Sequence, residues 1–463
     1  MGVFDVIQIV QAFDRSPIRE LPVDDAAMLD RKISAAATLF ADRRARLKPH
    51  QRIDILRRVE SLMETRRDEF GRQIAREGGK PLTDALVEVT RAIDGVRCAI
   101  TELRQAAGRE IPMGLTPASV DRRALTIREP IGVVAGISAF NHPLNLIVHQ
   151  VVPAVAVGCP IIIKPASSTP LSCFAFIELL REAGLPPDWC QTFLPASSEL
   201  AEALATDRRI AFVSFIGSGS VGWRLRSKVA PGTRIALEHG GSAPAIIDRS
   251  ADLDRLIEPL VKGGYYHAGQ VCVSTQRIYI HRELEQEFLE RFSARVTALR
   301  VGDPLRLDTE VGPMITPGEA DRVAGWIDEA VAGGARLIGG GRLSETTLIP
   351  SVLVNPAVEA KVSQQEVFGP TTCVYTYHKL DEAIHAANSL PFAFQASVFT
   401  EELRTAWHAA ECLDAATVLI NDHTAFRTDW MPFGGRRESG YGTGGIPWTM
   451  RDMTQEKMIV FKS

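Results

Sequence analysis

Between residues 131 and 237 short apolar runs alternate with helical stretches, and no other feature constrains the fold as tightly. Residues 131–137 (IGVVAGI) form a continuous apolar run, the pattern of a parallel strand covered on both faces. Ile161-Ile162-Ile163 is a second such run, followed by a helical stretch over 171–185. Residues 191–194, 211–216 and 234–237 repeat the strand pattern with helical stretches between them. Strands that take turns with helices imply βαβ units and a doubly wound α/β sheet. A second alternating block, with strands at 277–281, 335–338, 372–376, 396–399 and 417–420 and helices over 283–299 and 319–333, implies a second α/β domain.

Upstream, residues 24–107 carry apolar residues at three- and four-residue spacing, broken at Gly78-Gly79-Lys80-Pro81. They read as packing helices whose charged faces are solvated. Residues 125–129 alternate like an exposed strand. With 52 basic and 56 acidic residues in 463, the chain is not built to coat nucleic acid or an anionic membrane. No apolar run approaches the roughly 18 residues of a membrane span. The first residues, MGVFDVIQIVQAFDRSP, lack a basic leader region, and Val6 stands where an acylation signal needs Ser or Thr. Seven widely spaced cysteines without a CxxC pair form neither a disulfide framework nor a zinc site, which points to a reducing, cytoplasmic setting.

Several short segments could carry chemistry. Gly217-Ser218-Gly219-Ser220-Val221-Gly222 fits GxGxxG between a strand and a helix, the context in which free backbone N–H groups cradle a phosphate. Lys164 ends a buried strand, where a cation faces the ligand crevice of an α/β sheet. Glu238-His239-Gly240-Gly241 ends another strand and leaves a carboxylate able to act as a general base. Gly269-Gln270-Val271-Cys272 offers a thiol in a small-residue loop; the other six cysteines read as small hydrophobes. Glu366-Val367-Phe368-Gly369-Pro370 and Pro432-Phe433-Gly434-Gly435 are compact turns.

Taken in order with Glu129-Pro130-Ile131-Gly132-Val133-Val134 and Phe140-Asn141-His142-Pro143, these segments resemble the NAD(P)-dependent aldehyde dehydrogenases from about residue 25 onward. The strand region that precedes the first helix in most members is expected to be missing. The resemblance implies a Rossmann-type dinucleotide-binding domain (1–111 and 129–238), an α/β catalytic domain (239–446) and a small β oligomerisation arm (112–128 and 447–463) that makes a homodimer or homotetramer. It casts Cys272 as nucleophile, Asn141 as oxyanion-hole amide and Glu238 as general base rather than ribose ligand. Lys164, Ser167, Gly217, Ser218, Glu366, Phe368 and Phe140 then hold NADP or NAD, with no metal.

The implied reaction oxidises a small-molecule aldehyde, small or anionic (a semialdehyde, a lactaldehyde-like or a phosphorylated aldehyde), to a carboxylic acid through a cysteine thiohemiacetal and a thioester. Alternatives are a CoA-acylating enzyme, disfavoured by Glu238, and a non-catalytic member of the fold, disfavoured by the complete Cys272, Asn141 and Glu238 set. Ser167 replaces the glutamate of most NAD-preferring relatives, so a cofactor 2′-phosphate meets no repulsion there. Gln150 and Gly444 replace a lysine–glutamate pair that relays protons in many relatives. His239 and His267 stand where leucine and asparagine are common. His142 and Arg427 are candidate substrate residues near the entrance, Arg427 as a partner for an anionic tail such as a carboxylate, phosphate or sulfonate.

Overall fold

A computed structural model describes residues 6–462; the first five residues of the segment read for a leader, and the last residue of the arm, lie outside them. Two strands, Val6–Val10 and Pro17–Pro22, pair antiparallel ahead of the first helix. The region expected to be missing is therefore present. Its first strand, VIQIV, is an apolar β-branched run that the sequence reading weighed only as a leader, and the second, PIRELP, is mostly exposed.

The first alternating block folds into a six-stranded sheet. Its order is Gly440–Tyr441, Arg234–Glu238, Ile210–Ile216, Val133–Ile137, Ile161–Lys164 and Cys190–Thr192. The last five are parallel, and Gly440–Tyr441 joins antiparallel. Chain order reverses between Val133–Ile137 and Ile210–Ile216, which makes the crevice between their carboxyl ends the place for a ligand. Val133–Ile137 is buried at every residue, as is the helix Asn145–Val157 behind it, because both faces of the sheet are covered.

The second block forms a seven-stranded sheet in the order Arg336–Gly339, Ser351–Val354, Thr371–Tyr377, Thr275–His281, Ala243–Ile247, Gln395–Phe399 and Thr417–Ile420. Ala243–Ile247 and Ser351–Val354 are strands that the sequence pattern did not separate from their surroundings. A third sheet pairs Thr454–Lys462 with Arg122–Pro130 along nine residues and adds Glu110–Ile111. It stands apart from both larger sheets and exposes Leu125, Ile127, Met458, Val460 and Phe461.

The N-terminal helices, Ala26–Ala41, Pro49–Thr65, Arg67–Gly78 and Leu82–Gln105, depart from the sequence reading in one respect. Their charges are not all solvated. Glu77, Lys80, Asp84 and Glu88 are buried. Glu77 accepts hydrogen bonds from the backbone N–H groups of Leu171 and Ser172, and Glu88 accepts from those of Leu144 and Asn145. Each carboxylate thus satisfies the free donors at the start of another helix. Lys80 pairs with the second oxygen of Glu88. Among the described residues no helix is long and apolar enough to cross a membrane.

Candidate active site

A cavity of about 1010 Å³ runs along the carboxyl ends of the six-stranded sheet and across to the second sheet. Phe140, Asn141, His142, Lys164, Ser167, Gly217, Ser218, Glu238, Cys272, Glu366, Phe368 and Arg427 all line it.

At one end Ile210–Ile216 runs into Gly217, where a Cβ would press on the Phe215 ring, and Gly219–Arg226 then begins. The third glycine of the motif, Gly222, lies against the His239 imidazole, which leaves no space for a side chain. The His239 Nδ1–H donates to the Gly217 carbonyl at 3.0 Å, and Phe215 and Trp223 flank the ring. His239 is therefore a packing residue that holds the glycine turn in place. Lys164, with no carboxylate within ion-pair distance among the described residues, has its ammonium pKa lowered by burial. The Phe140 and Phe368 rings meet edge to face at 5.9 Å. Glu366 accepts the Gly241 N–H at 3.1 Å and fills the space beside Gly240, where a Cβ would strike its carboxylate. Burial pushes Glu366 up to about 8. A free ammonium, a glycine turn opening a helix, and hydroxyls without a carboxylate at position 167 fit a phosphorylated dinucleotide.

Cys272 follows a strained turn. His267 and Ala268 have φ of 50° and 54°, and Gly269 continues at 70°. The left-handed region costs a non-glycine residue roughly 1–2 kcal/mol. A Cβ at Gly269 would collide with the Gly369 carbonyl. The buried Gln270 amide holds the turn: Nε2 donates to the His267 and Pro313 carbonyls, and Oε1 accepts the Ile315 N–H at 2.9 Å. Sequence reasoning quoted Gln270 but gave it no role; a glutamine beside a reactive cysteine was its only signal. Asn141 Nδ2 donates to the Gln270 carbonyl at 2.9 Å, which fixes the amide and leaves its second N–H for another acceptor. Burial pushes the Cys272 thiol up to about 12, opposed by the Arg427 charge and reinforced by Glu366 and Glu238.

Glu238 lies where a side chain at Gly444 would stand, so the missing relay glutamate makes room for the carboxylate. Burial raises its pKa, and Arg427 opposes the shift. Gln150 does not reach toward it. Its Nε2 donates to the Ile137 and Ser214 carbonyls and ties two central strands together.

Beyond Glu238 lies a charged wall. Arg427 stacks over the Phe433 ring, its Cζ 3.6 Å from the centroid, so it is not the exposed loop arginine that its sequence setting allowed. His142 lines the cavity but is buried rather than placed at an entrance, with its Nε2 3.4 Å from the Tyr266 hydroxyl. His267 is buried beside both rings, and neither of its nitrogens has a protein partner. Arg91, which sequence reasoning missed, lines the same wall and forms a two-pronged pair with Asp429. Of the six remaining cysteines, Cys159, Cys173, Cys190 and Cys373 are buried and Cys98 partly so. Cys412 departs from the expected reading: it is exposed, because it ends a surface helix. No group of three or more His, Cys, Asp or Glu among the described residues is placed to hold a metal ion.

The family model for the aldehyde dehydrogenase family matches residues 4–459. The 3-sulfolactaldehyde dehydrogenase of Priestia aryabhattai is 33% identical over 454 residues, 98% of this chain and 94% of the relative. Among solved structures, aldehyde dehydrogenase 21 from Physcomitrella patens, in complex with the reaction product succinate, superposes with a TM-score of 0.96 at 34% identity. That alignment covers 100% of this chain and 96% of the other. Glyceraldehyde-3-phosphate dehydrogenase GapN from Methanocaldococcus jannaschii, complexed with NADP, gives a TM-score of 0.95 at 29% identity over the whole of both chains. With the match unbroken from the N-terminal hairpin to the last strand, the chain belongs to the aldehyde dehydrogenase family and is an NAD(P)-dependent oxidoreductase acting on aldehydes.

Proposed function

We propose that this enzyme oxidises a small anionic aldehyde to its carboxylic acid, with Cys272 as nucleophile, Asn141 as oxyanion donor and Glu238 as general base. The observation that carries the reading is the lining of a single cavity by these three residues, by Arg427 at one end and by Lys164, Gly217 and Ser218 at the other. The Cys272 thiolate adds to the aldehyde carbon, and the carbonyl π electrons move onto oxygen. The free Asn141 N–H and the Cys272 backbone N–H meet that oxyanion, each such donor being worth roughly 2.7–4 kcal/mol. A dinucleotide bound by Lys164, Ser167, Phe140, Gly217, Ser218, Glu366 and Phe368 supplies the hydride acceptor. Glu238 takes a proton from water as the water attacks the thioester, and the Cys272 thiolate leaves. With Gln150 committed to the sheet, the proton leaves Glu238 through water.

Ser167 supports acceptance of NADP alongside NAD. Arg427 seats the substrate's anionic tail, in keeping with relatives named for sulfolactaldehyde, sulfoacetaldehyde and aspartate semialdehyde. His142 lies beside the tail. Residues 1–111 and 129–238 make up the dinucleotide-binding domain and 239–446 the catalytic domain; 112–128 and 447–463 are a subunit-pairing arm of a cytoplasmic homo-oligomer.

The test is an aldehyde panel with both cofactors, run on wild type and Arg427→Ala. Turnover of carboxylate-, sulfonate- or phosphate-tailed aldehydes with NADP is expected, and Arg427→Ala should raise KM for these alone. NAD-only turnover removes the cofactor reading, and an unchanged KM removes the tail reading.

A further inference from the structure

Arg427 does not hold its position alone. One of its Nη2–H groups points at His149 Nδ1, 3.3 Å away. His149 Nε2 lies 2.7 Å from Asp429 Oδ1. A carboxylate can only accept, so Nε2 carries the proton and Nδ1 presents a lone pair to Arg427. Asp429 fixes the His149 tautomer, and that tautomer gives the guanidinium a buried acceptor. The same Asp429 oxygen accepts from Asn145 Nδ2 at 3.1 Å and from Arg91 Nη2 at 2.9 Å, and Oδ2 accepts from Arg91 Nε at 3.2 Å. The Phe433 ring lies against the same guanidinium.

The charges around this wall can be counted. Arg91 and Arg427 contribute two positive charges and Asp429 one negative. The Lys80–Glu88 pair cancels, as does Lys262–Asp84. His142, His149 and His267 are neutral, since burial and the neighbouring cations hold their protonation down, His149 to about 4. Tyr266 is neutral. Glu238, whose charge acts on Arg427, and Glu366 lower the sum whenever they ionise, so one net positive charge is the ceiling at this end.

We infer that His149 and Asp429 are positioning residues that aim Arg427 and limit this end of the cavity to one net positive charge, so that it selects a monoanionic tail, carboxylate or sulfonate, over a phosphate dianion. The inference rests on Arg427 seating the tail. A dianion placed there carries one uncompensated charge in a confined, partly desolvated space, whereas a monoanion closes the balance.

The experiment compares carboxylate-, sulfonate- and phosphate-tailed aldehydes and an uncharged one of matched length at pH 8, where a phosphate monoester carries close to two charges. In the wild-type enzyme kcat/KM for the monoanions should exceed that for the phosphate by about tenfold or more. Asp429→Asn removes the negative charge and should narrow that ratio about tenfold. His149→Phe removes the acceptor at similar volume. It should raise KM for the carboxylate-tailed aldehyde about fivefold more than for the uncharged one, and add nothing in an Arg427→Ala background. A wild-type preference for phosphate overturns the inference. So does a His149→Phe effect that is equal on the uncharged aldehyde or additive with Arg427→Ala. If Arg427→Ala leaves every KM unchanged, the tail reading falls and takes this inference with it.

Discussion

Glu238 lines the cavity and Asp429 stands behind its charged wall, and the pKa values of these two carboxylates move in opposite directions. Burial acts to raise both pKa values. At Asp429 it is overcome by the hydrogen bond from His149 and the charges of Arg91 and Arg427, which hold the group well below the usual carboxylate range. At Glu238 only the Arg427 charge opposes burial, and the pKa stays raised. Burial therefore does not decide whether a carboxylate can accept a proton; the donors aimed at it do. The wall crowded with donors is a fixed anion that orients other groups. The wall without them is free to work as a base.

Four measurements can break or sharpen this contrast. In the proposed mechanism both walls serve Cys272, so Cys272→Ala should lower aldehyde-dependent cofactor reduction roughly 10⁴-fold or more, read as absorbance of the reduced cofactor. Glu238→Gln should slow steady-state turnover about 10²–10⁴-fold and keep the first burst of reduced cofactor, since the work proposed for Glu238 is on the water that attacks the thioester. In wild type the deacylation rate should climb with pH through the raised Glu238 value, and that limb should vanish in the variant. Loss of the burst would show that Glu238 acts before the thioester.

The other two are stability measurements. Asp429→Asn breaks a buried pair and should cost roughly 3 kcal/mol in denaturant unfolding. The folded pKa is depressed, so the contribution is complete above the unfolded value near 3.9 and disappears as pH falls through the folded one. The variant and wild type should therefore converge in strong acid and differ at neutral pH. Glu238 has the opposite sign. Its folded pKa is raised, so it contributes most below its ordinary value and loses that contribution as pH rises through the folded one. Glu238→Gln should raise Tm by roughly 1–2 °C at pH 8 and leave it unchanged at pH 4. A fall at pH 8 would mean that Glu238 is held by donors after all.

Much of this was legible in the sequence because motif and strand end coincide. Gly217, Lys164 and Glu238 sit where an alternating α/β chain must put its ligand contacts, and apolar runs gave the strands away. Arg91 was not legible for a physical reason. Asp84, Glu88 and Arg91 follow one another at four- and three-residue spacing, which looks like a solvated helical stripe. Here the stripe faces inward, since each charge has a partner on another element. Only the interleaving of that stripe with Ala85, Val89 and Ala92, all buried, hinted at it. The left-handed turn at His267 and Ala268 was invisible because neither residue favours that conformation. Gly444 could be read as a missing partner but not as the space that Glu238 fills.

The helix Leu82–Gln105 carries two tethers less than one turn apart. Glu88 holds the segment that follows Asn141, and Arg91 holds Asp429 and through it the Arg427 loop. The proposed oxyanion donor and the proposed tail clamp thus share one mount. Variation that retunes what the enzyme accepts is therefore channelled to the loop side, at Arg427 and its neighbours. A change on the helix is expected to reach the proposed chemistry and the proposed recognition together, whereas a change around Arg427 reaches recognition alone.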